Sequence, residues 1–256
     1  MRLLIAFLVV AALVTSCKPS HAEDRVPKGE SVVVVELFTS QGCSSCPPAD
    51  KILTEIGSDP KLAGKVIALA YHVDYWDYIG WKDPFASELW SNRQRDYGNR
   101  AFQTRRIYTP QLVVNGSEHL VGSNRTAVNS SIAKASSTPA LAKLAVTRTA
   151  GDGSIQISGT ATLERMSAEP LQVVLVVYEN KLTTRVTRGE NTGRTLQNDH
   201  IVRKLVGAGK LSGASGTTVK VDTRVTLDPS WDAKNVGVVV LVQHPKTMAI
   251  VGAVGL

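Results

Sequence analysis

A pair of cysteines between a valine-rich segment and a helix-like segment is the feature that most restricts the fold of this chain. Cys43 and Cys46 are separated by two residues, and the run Ser31–Phe38 before them contains four consecutive valines. Such a continuous apolar run is typical of a strand that is buried on both faces of a sheet. After the cysteines, apolar residues recur at helical spacing within residues 47–59. The pattern predicts a cysteine pair at the N-terminus of a helix that follows a buried strand.

This position favours redox chemistry at the pair. The free amides and the dipole of a helix N-terminus stabilise a thiolate, so the pKa of the Cys43 thiol is expected to be low. Cys46 is near enough to resolve a mixed disulfide formed at Cys43. A static disulfide is the alternative, although so small a loop adds little stability. A four-cysteine zinc site is excluded because the chain has three cysteines, and we expect no bound cofactor.

The rest of the first half predicts an alternation of strands and helices. A second buried strand is expected over Val66–Val73 and a helix over residues 85–102. Asn115-Gly116 separates two short apolar runs, Gln111–Val114 and His119–Val121, which is typical of a hairpin with a type I′ turn. A last helix is expected over Arg125–Ser136.

The second half has a different character. Beyond Pro139 the sequence predicts short strands with little helix, separated by turn signals such as Gly151-Asp152-Gly153. The predicted strands are Leu144–Arg148, Ser154–Leu163, Leu171–Tyr178, Thr217–Leu227 and Asn235–Gln243. The expected domains are residues 23–138 and 139–256, the second an antiparallel β-sandwich.

The first residues are typical of an export signal. Residues 1–22 contain two basic and no acidic side chains, and Leu3–Val14 is an apolar run too short to span a bilayer. Cleavage after Ala22 would give a periplasmic or secreted protein. Alternatively, residues 14–17 resemble a lipobox, with the signal ending at residue 16, and Cys17 would anchor the chain to a membrane through a lipid.

Several strings of this sequence resemble one known family. They are Val35–Asp50 around the cysteines, His72–Asp77, Tyr108–Gly116 and Gly189–Gly193. Residues 31–138 resemble the thioredoxin superfamily, and nearly the whole mature chain resembles the exported bacterial family of domain of unknown function 1223. The resemblance implies an α/β thioredoxin-like domain followed by an antiparallel β-sandwich-like domain.

The resemblance also implies roles for single residues. Cys43 matches the nucleophilic cysteine and Cys46 the resolving one, while Pro110 matches a cis-proline that faces the pair and Thr109 the residue that contacts substrate. Glu36 matches a buried acid that exchanges protons with a thiol, although a salt-bridged strand residue is the alternative.

An aromatic segment lies between the second strand and Thr109. Ten of the 14 aromatic residues lie between Tyr71 and Tyr108. Tyr75, Trp76 and Trp81 are candidates for binding substrate beside the cysteines, and the alternative is a satellite core that covers the sheet. Five arginines follow, which we expect on an exposed helix face: Arg93, Arg95, Arg100, Arg105 and Arg106.

These observations lead to one function hypothesis and two alternatives. The formal charge of +7 has its basic excess spread through residues 139–256 and the leader, which argues against nucleic acid as a partner. We expect an exported thiol–disulfide oxidoreductase that acts on a protein or a small thiol or disulfide in the cell envelope. The first alternative is a non-catalytic envelope protein with a structural disulfide. The second is a copper metallochaperone that uses Cys43, Cys46 and His72, although a hydrogen-bonded His72 is the simpler interpretation.

Overall fold

The valine-rich segment before the cysteines forms the strand β1 (Val33–Thr39), and all seven of its side chains are buried. It lies between a parallel partner, β2 (Val66–His72), and an antiparallel partner, β3 (Gln111–Val114). The strand β4 (Glu118–Val121) pairs with β3 at the edge of the sheet. A strand with neighbours on both sides and cover on both faces needs apolar side chains at nearly every position, which explains the uninterrupted run.

Helices cover both faces of these four strands. The helices α1 (Pro47–Ser58) and α3 (Arg125–Ser136) match the predicted ranges to within one residue and share an apolar cluster with every second residue of β1. The helix α2 (Glu88–Asp96) lies against the opposite face, where Trp90 belongs to the same cluster as Phe38.

The helix predicted over residues 85–102 is shorter than expected. It begins after Ser87, whose side-chain oxygen accepts a hydrogen bond from Leu89 N at 3.2 Å and so satisfies a free amide of the first turn. At its other end the backbone passes into a π-helical turn, Tyr97–Ala101. A short 3₁₀ turn, Asp77–Ile79, lies upstream in the aromatic segment.

The predicted hairpin is confirmed at β3 and β4. Asn115 and Gly116 have φ angles of +46° and +66°, as a type I′ turn requires. The turn is closed by a hydrogen bond from Ser117 N to Val114 O at 3.0 Å. Asn115 also ties the turn to β1, because its Oδ1 accepts a hydrogen bond from Val34 N at 2.7 Å.

Residues 139–256 are β-rich, as predicted. The strands are β5 (Ala142–Gly151), β6 (Ser154–Leu163), β7 (Leu171–Glu179), β8 (Leu182–Arg185), β9 (Thr195–Asn198), β10 (Ile201–Leu211), β11 (Thr218–Thr226), β12 (Val236–Gln243) and β13 (Ile250–Gly255). The sequence predicts β5, β6, β7, β11 and β12 but misses the other four. β10 was missed because lysines and glycines interrupt its apolar pattern, and two register shifts against β7 break its alternation.

One large mixed sheet runs through both halves of the chain. Its strand order is β13-β12-β7-β10-β2-β1-β3-β4. β10 joins the halves through a parallel pairing of Ile201 with Ala70, where Ala70 N donates to His200 O at 2.8 Å. Strands from both sides of residue 139 therefore share one sheet, and the division into domains 23–138 and 139–256 stays a prediction.

Two smaller antiparallel sheets complete the mixed α/β fold. The sheet β11-β6-β5 packs against β7 and β12 through an apolar cluster that includes Ile155, Ile157, Leu175 and Val240. The strands β8 and β9 form a hairpin of their own.

The computed structural model describes residues 31–256. The predicted export signal of residues 1–22 and the alternative lipid anchor at Cys17 lie outside the described residues. Among residues 31–256, no helix has the length and apolar character needed to cross a membrane.

Candidate functional site

Cys43 and Cys46 form a disulfide in the turn between β1 and α1, with their Cα atoms 5.4 Å apart. Cys46 directly precedes Pro47, the first residue of α1. The amide of Cys46 donates to Cys43 O at 3.2 Å, and Cys43 Sγ lies 3.3 Å from Ser45 Oγ. The pair therefore lies at the positively polarised end of a helix, which stabilises a thiolate once the disulfide opens.

Both cysteines are buried. Cys43 is 1% exposed and Cys46 is 0% exposed, whereas Ser44 and Ser45 between them are exposed. A thiolate that attacks a disulfide must reach a sulfur atom in line with the bond, so access to this pair depends on what covers it.

Trp76 connects the cysteine turn to Thr109, the residue before Pro110. The peptide bond between Thr109 and Pro110 is cis. Trp76 Nε1 donates to Thr109 Oγ1 at 2.7 Å. A Cβ atom built on Gly42 would lie 3.1 Å from Cβ of Trp76. Trp76 thus spans from the residue before Cys43 to the residue before Pro110.

The other two aromatic candidates differ in what they contact. Trp81 Nε1 donates to Gln41 Oε1 at 3.2 Å, so Trp81 also touches the cysteine turn. Tyr75 OH donates to Gln94 Oε1 at 3.0 Å, and burial raises its pKa to about 12. Trp76 and Trp81 are each partly exposed beside the turn. Binding of substrate by these three side chains stays a prediction.

Glu36 belongs to a buried ion pair on the far side of β1. Its carboxylate accepts hydrogen bonds from Arg93 Nε at 2.9 Å and from the hydroxyl of Tyr97, and its exposed fraction is 1%. Side chains alternate along a strand, so Glu36 faces α2 with Val34 and Phe38, whereas α1 lies on the other face. This is the alternative, salt-bridged interpretation of Glu36. A proton-exchange role for it stays untested.

The ion pair also corrects the expectation for one arginine. Arg93 is 9% exposed, and attraction to Glu36 outweighs burial and holds its pKa well above the usual range. It is a core residue rather than part of an exposed helix face. The other four arginines of the cluster are exposed, as expected: Arg95, Arg100, Arg105 and Arg106. Arg105 and Arg106 nevertheless follow the last helical turn, so the expected helix face does not extend to them.

Asp50 is a site residue that sequence reasoning missed. It lies one helical turn after Cys46, and its amide donates to Cys46 O at 3.1 Å. Thr39 Oγ1 donates to Asp50 Oδ1 at 2.7 Å. Burial raises the pKa of Asp50 to about 6, although the nearby His72 and the Thr39 hydrogen bond oppose the rise. The spacing of four residues from Cys46 is the sequence signal that identifies this carboxylate.

His72 ends β2 and pairs with Asp83. His72 Nδ1 lies 2.7 Å from Asp83 Oδ2, which also accepts a hydrogen bond from Gln41 N at 2.8 Å. Burial alone lowers the pKa of His72, but attraction to Asp83 reverses this and gives a raised value. His72 Nε2 is buried, and no hydrogen-bond partner for it is found among the described residues. The simpler interpretation of His72, as a hydrogen-bonded strand-end residue, is confirmed.

A metal centre gains no support from this arrangement. Within residues 31–256, no group of three or more His, Cys, Asp or Glu side chains is placed to hold a metal ion. The two cysteines are joined to each other, and Nδ1 of His72 is engaged by Asp83. The copper alternative stays a prediction.

The loop between β8 and β9 (residues 186–194) contacts the cysteine turn from the second half of the chain. Asn191 Nδ2 donates to Gln41 O at 2.9 Å and to Cys43 O at 3.0 Å. Glu190 Oε2 accepts a hydrogen bond from Ser44 N at 2.8 Å, and this contact holds the pKa of Glu190 below its usual range. No local sequence pattern reveals a contact across about 150 residues.

A family model described as "Protein of unknown function (DUF1223)" matches residues 34–243. The chain belongs to this family. The matched range includes both cysteines, Thr109 and Pro110, Asp50 and the β8–β9 loop, so every part of the site lies within the family's own region.

Two solved structures are similar over most of the chain. A crystal structure of a protein from Agrobacterium tumefaciens is 30% identical, with a TM-score of 0.66 over 89% of this chain and 95% of that chain. HBP35 of Porphyromonas gingivalis is 16% identical, with a TM-score of 0.64 over 89% of this chain and 75% of that one, which shows a shared fold alone. No curated protein matches the chain.

Proposed function

We propose that this member of the family is a thiol–disulfide oxidoreductase that works through Cys43 and Cys46. The observation that carries the proposal is the position of the pair, at the N-terminus of α1 and next to Trp76, which reaches Thr109. That position stabilises the Cys43 thiolate that the second step releases, and it places the sulfur of Cys46 beside Cys43.

The proposed reaction starts from the disulfide form. A substrate thiolate attacks Cys43 Sγ, the bond between Cys43 and Cys46 breaks, and Cys46 leaves with the electron pair. A second substrate thiolate then attacks the substrate sulfur of the mixed disulfide and releases Cys43. The substrate becomes a disulfide, the pair becomes a dithiol, and two electrons have passed to the protein. The reverse reaction uses the same groups.

Asp50 is the group we assign to proton exchange in this cycle. Cys46 is buried, so its thiolate is costly to keep and takes up a proton after the disulfide opens. Asp50 lies on the same face of α1 one turn further on, and its pKa of about 6 suits exchange near neutral pH. Glu36 is the less suitable acid, because it faces α2 and is held by Arg93.

We also propose that the chain contains a thioredoxin-like unit followed by a β-sandwich-like unit. The strand order β2-β1-β3-β4, with only β1 and β2 parallel in that group and helices on both faces, supports a thioredoxin-like unit. The sheet β11-β6-β5 facing β7 and β12 supports a sandwich-like second unit.

The proposed setting is the cell envelope. It is supported by the signal-like residues 1–22 and by the need of a disulfide for an oxidising compartment. The substrate would be a protein or a small thiol there, and an anchor at Cys17 is the alternative to a free periplasmic or secreted protein.

Turnover of a model substrate tests the proposal. The full chain is mixed with a dithiol peptide and glutathione disulfide, and formation of the peptide disulfide is followed by mass. We expect catalysis by the wild type and none by Cys43→Ser, with Asn92→Ser on the exposed face of α2 as the control. Equal rates for wild type and Cys43→Ser would remove the proposal.

The burial of both sulfur atoms favours a second candidate, a non-catalytic protein with a structural disulfide. A loop of this size contributes little entropy, so the candidate requires that the bond stabilise the turn by other means. It predicts a large loss of thermal stability on reduction and no turnover in the assay above.

A further inference from the structure

The β8–β9 loop forms hydrogen bonds on both sides of Cys43 that the proposed reaction does not use. Asn191 holds the carbonyl oxygens of Gln41 and Cys43, and Glu190 holds the amide of Ser44. Asn191 is itself 1% exposed, and its Oδ1 accepts a hydrogen bond from Arg194 Nη1 at 3.0 Å. The loop is thus hydrogen-bonded to the turn that contains the sulfur of Cys43.

The same loop also reaches the aromatic segment. A Cβ atom on Gly189 would lie 3.2 Å from Cβ of Trp81 and 3.3 Å from Cδ1 of Ile79. The loop therefore occupies the space beside Trp81, a side chain predicted to bind substrate, as well as the space beside the cysteine turn. A substrate at Trp81 and this loop would compete for that space.

The loop belongs to a hairpin that is separate from the large sheet. It is the tip of the β8–β9 hairpin, which forms a two-stranded sheet apart from the eight-stranded sheet. Gly189 and Gly193 have φ angles of +74° and +84°, and Gly193 N donates to Val186 O at 2.9 Å. Release of the tip breaks the contacts to residues 41–44 and leaves the ladder of the large sheet intact.

We propose that the β8–β9 loop is a strap that closes the disulfide, and that Glu190 and Asn191 decide which reductant reaches Cys43. The inference deepens the proposed function and rests on it for the nature of the partner. An opened strap leaves one amide donor at Ser44 and two carbonyl acceptors at Gln41 and Cys43. The main chain of another polypeptide offers both kinds of group, so a protein dithiol replaces the strap better than a small thiol does.

The rate of reduction tests the strap directly. A thiolate of dithiothreitol attacks Cys43 Sγ and displaces Cys46. The second thiolate closes the dithiothreitol ring and releases Cys43, so two electrons pass to the pair. Glu190 is exposed, so Glu190→Ala removes one charged contact with little risk to folding. We expect it to be reduced about tenfold faster than wild type, as the loss of one charge-assisted hydrogen bond implies.

Glu118→Ala is the matched control, because it removes another surface carboxylate, one that pairs with Lys134 on the far edge of the sheet. It should be reduced at the wild-type rate. A rate for Glu190→Ala within twofold of wild type overturns the strap, whether or not the chain catalyses exchange. Faster reduction without turnover supports the strap and removes the proposed function.

Reduced thioredoxin serves as the protein probe for the partner class. The wild type should favour it over dithiothreitol, and Glu190→Ala should lose most of that preference because the small reagent gains access. An equal acceleration with both reductants overturns the polypeptide part of the inference.

Discussion

Glu36 and Asp50 lie on opposite sides of β1, and their surroundings give the two carboxylates different properties. Glu36 is neutralised by a guanidinium within the core, at 2.8 Å from Arg93 Nη2. Within residues 31–256, a hydrogen bond from the Thr39 hydroxyl and the nearby His72 favour the charged form of Asp50. The first arrangement is a buried ion pair, and the second leaves Asp50 with a pKa of about 6.

Asp50→Asn should stabilise the oxidised protein at neutral pH. A carboxyl whose folded pKa is raised keeps its proton between pH 4 and 6 while the unfolded chain loses it, so stability falls as the pH rises through that window. The amide removes this cost and still accepts the Thr39 hydrogen bond. We expect a gain of about 1–3 kcal/mol in the free energy of unfolding at pH 7 and none at pH 3. Denaturant titrations at the two pH values measure it.

Glu36→Gln provides the contrast and should have the opposite sign at pH 7. It leaves the Arg93 guanidinium buried without its carboxylate, which costs about 3–5 kcal/mol. A stabilising Glu36→Gln, or an Asp50→Asn effect of equal size at pH 3 and pH 7, would contradict these assignments.

Sequence reasoning at this scale identified the cysteine pair but not its surroundings. Cys43 and Cys46 are recognised by their spacing, and the strand before them and the helix after them are visible in the adjacent sequence. The same reasoning named Glu36 and missed Asp50, because the face of β1 that each side chain meets follows from the packing of α1 and α2. Glu190 and Asn191 depended on contacts across the whole chain.

Among the elements, the β3–β4 turn joins the two ends of the fold. Ile250 is the first residue of β13, and its amide donates a hydrogen bond to Asn115 O at 2.9 Å. A Cβ atom on Gly116 would lie 2.1 Å from the carbonyl oxygen of Met248. The turn therefore packs against backbone and cannot accept a side chain without a shift.

Gly116→Ala should destabilise the protein more than Gly153→Ala does. Both glycines have φ near +65°, so both substitutions carry a backbone cost of about 1 kcal/mol. Only Gly116 also has a backbone atom in the way, whereas the space around Gly153 is open. We expect a further loss of at least about 1 kcal/mol for Gly116→Ala in thermal or denaturant unfolding. An equal loss of unfolding free energy in the two variants would show that the contact with Met248 does not contribute to the destabilisation.

The missed strands show the limit of local pattern at the level of elements. β8 and β9 have four residues each with a single leucine as the apolar residue of each strand, and β13 is short with two glycines. β10 is long, but its pairing with β7 contains two irregularities. These strands form because partners are already in place, a condition that no window of sequence contains.

At the scale of the whole molecule, the eight-stranded sheet contains strands from both halves of the chain. One apolar cluster contains Val34 and Tyr71 from the first half together with Val176, Val239 and Ile250 from the second. Sequence analysis places a domain boundary near residue 139, and the eight-stranded sheet passes across that position. A change in sequence pattern at residue 139 therefore coexists with an apolar cluster that both halves share.

This continuity predicts cooperative unfolding. Hydrogen exchange of segments from β1 and β12, followed by mass spectrometry through a denaturant series, should give coincident midpoints because both strands lie in the shared sheet. Two separated midpoints would contradict the shared core and support independent domains at residue 139.

Trapping in the cell envelope tests the central claim most directly. In Cys46→Ser the resolving thiol is gone, so an attack that joins Cys43 to a partner cannot be reversed from within the pair. The account predicts species of higher mass that disappear on reduction and that are absent from the Cys43→Ser/Cys46→Ser double variant. If a folded, exported Cys46→Ser protein forms none beyond those of the double variant, Cys43 is not a nucleophile in the cell and the proposed function is wrong.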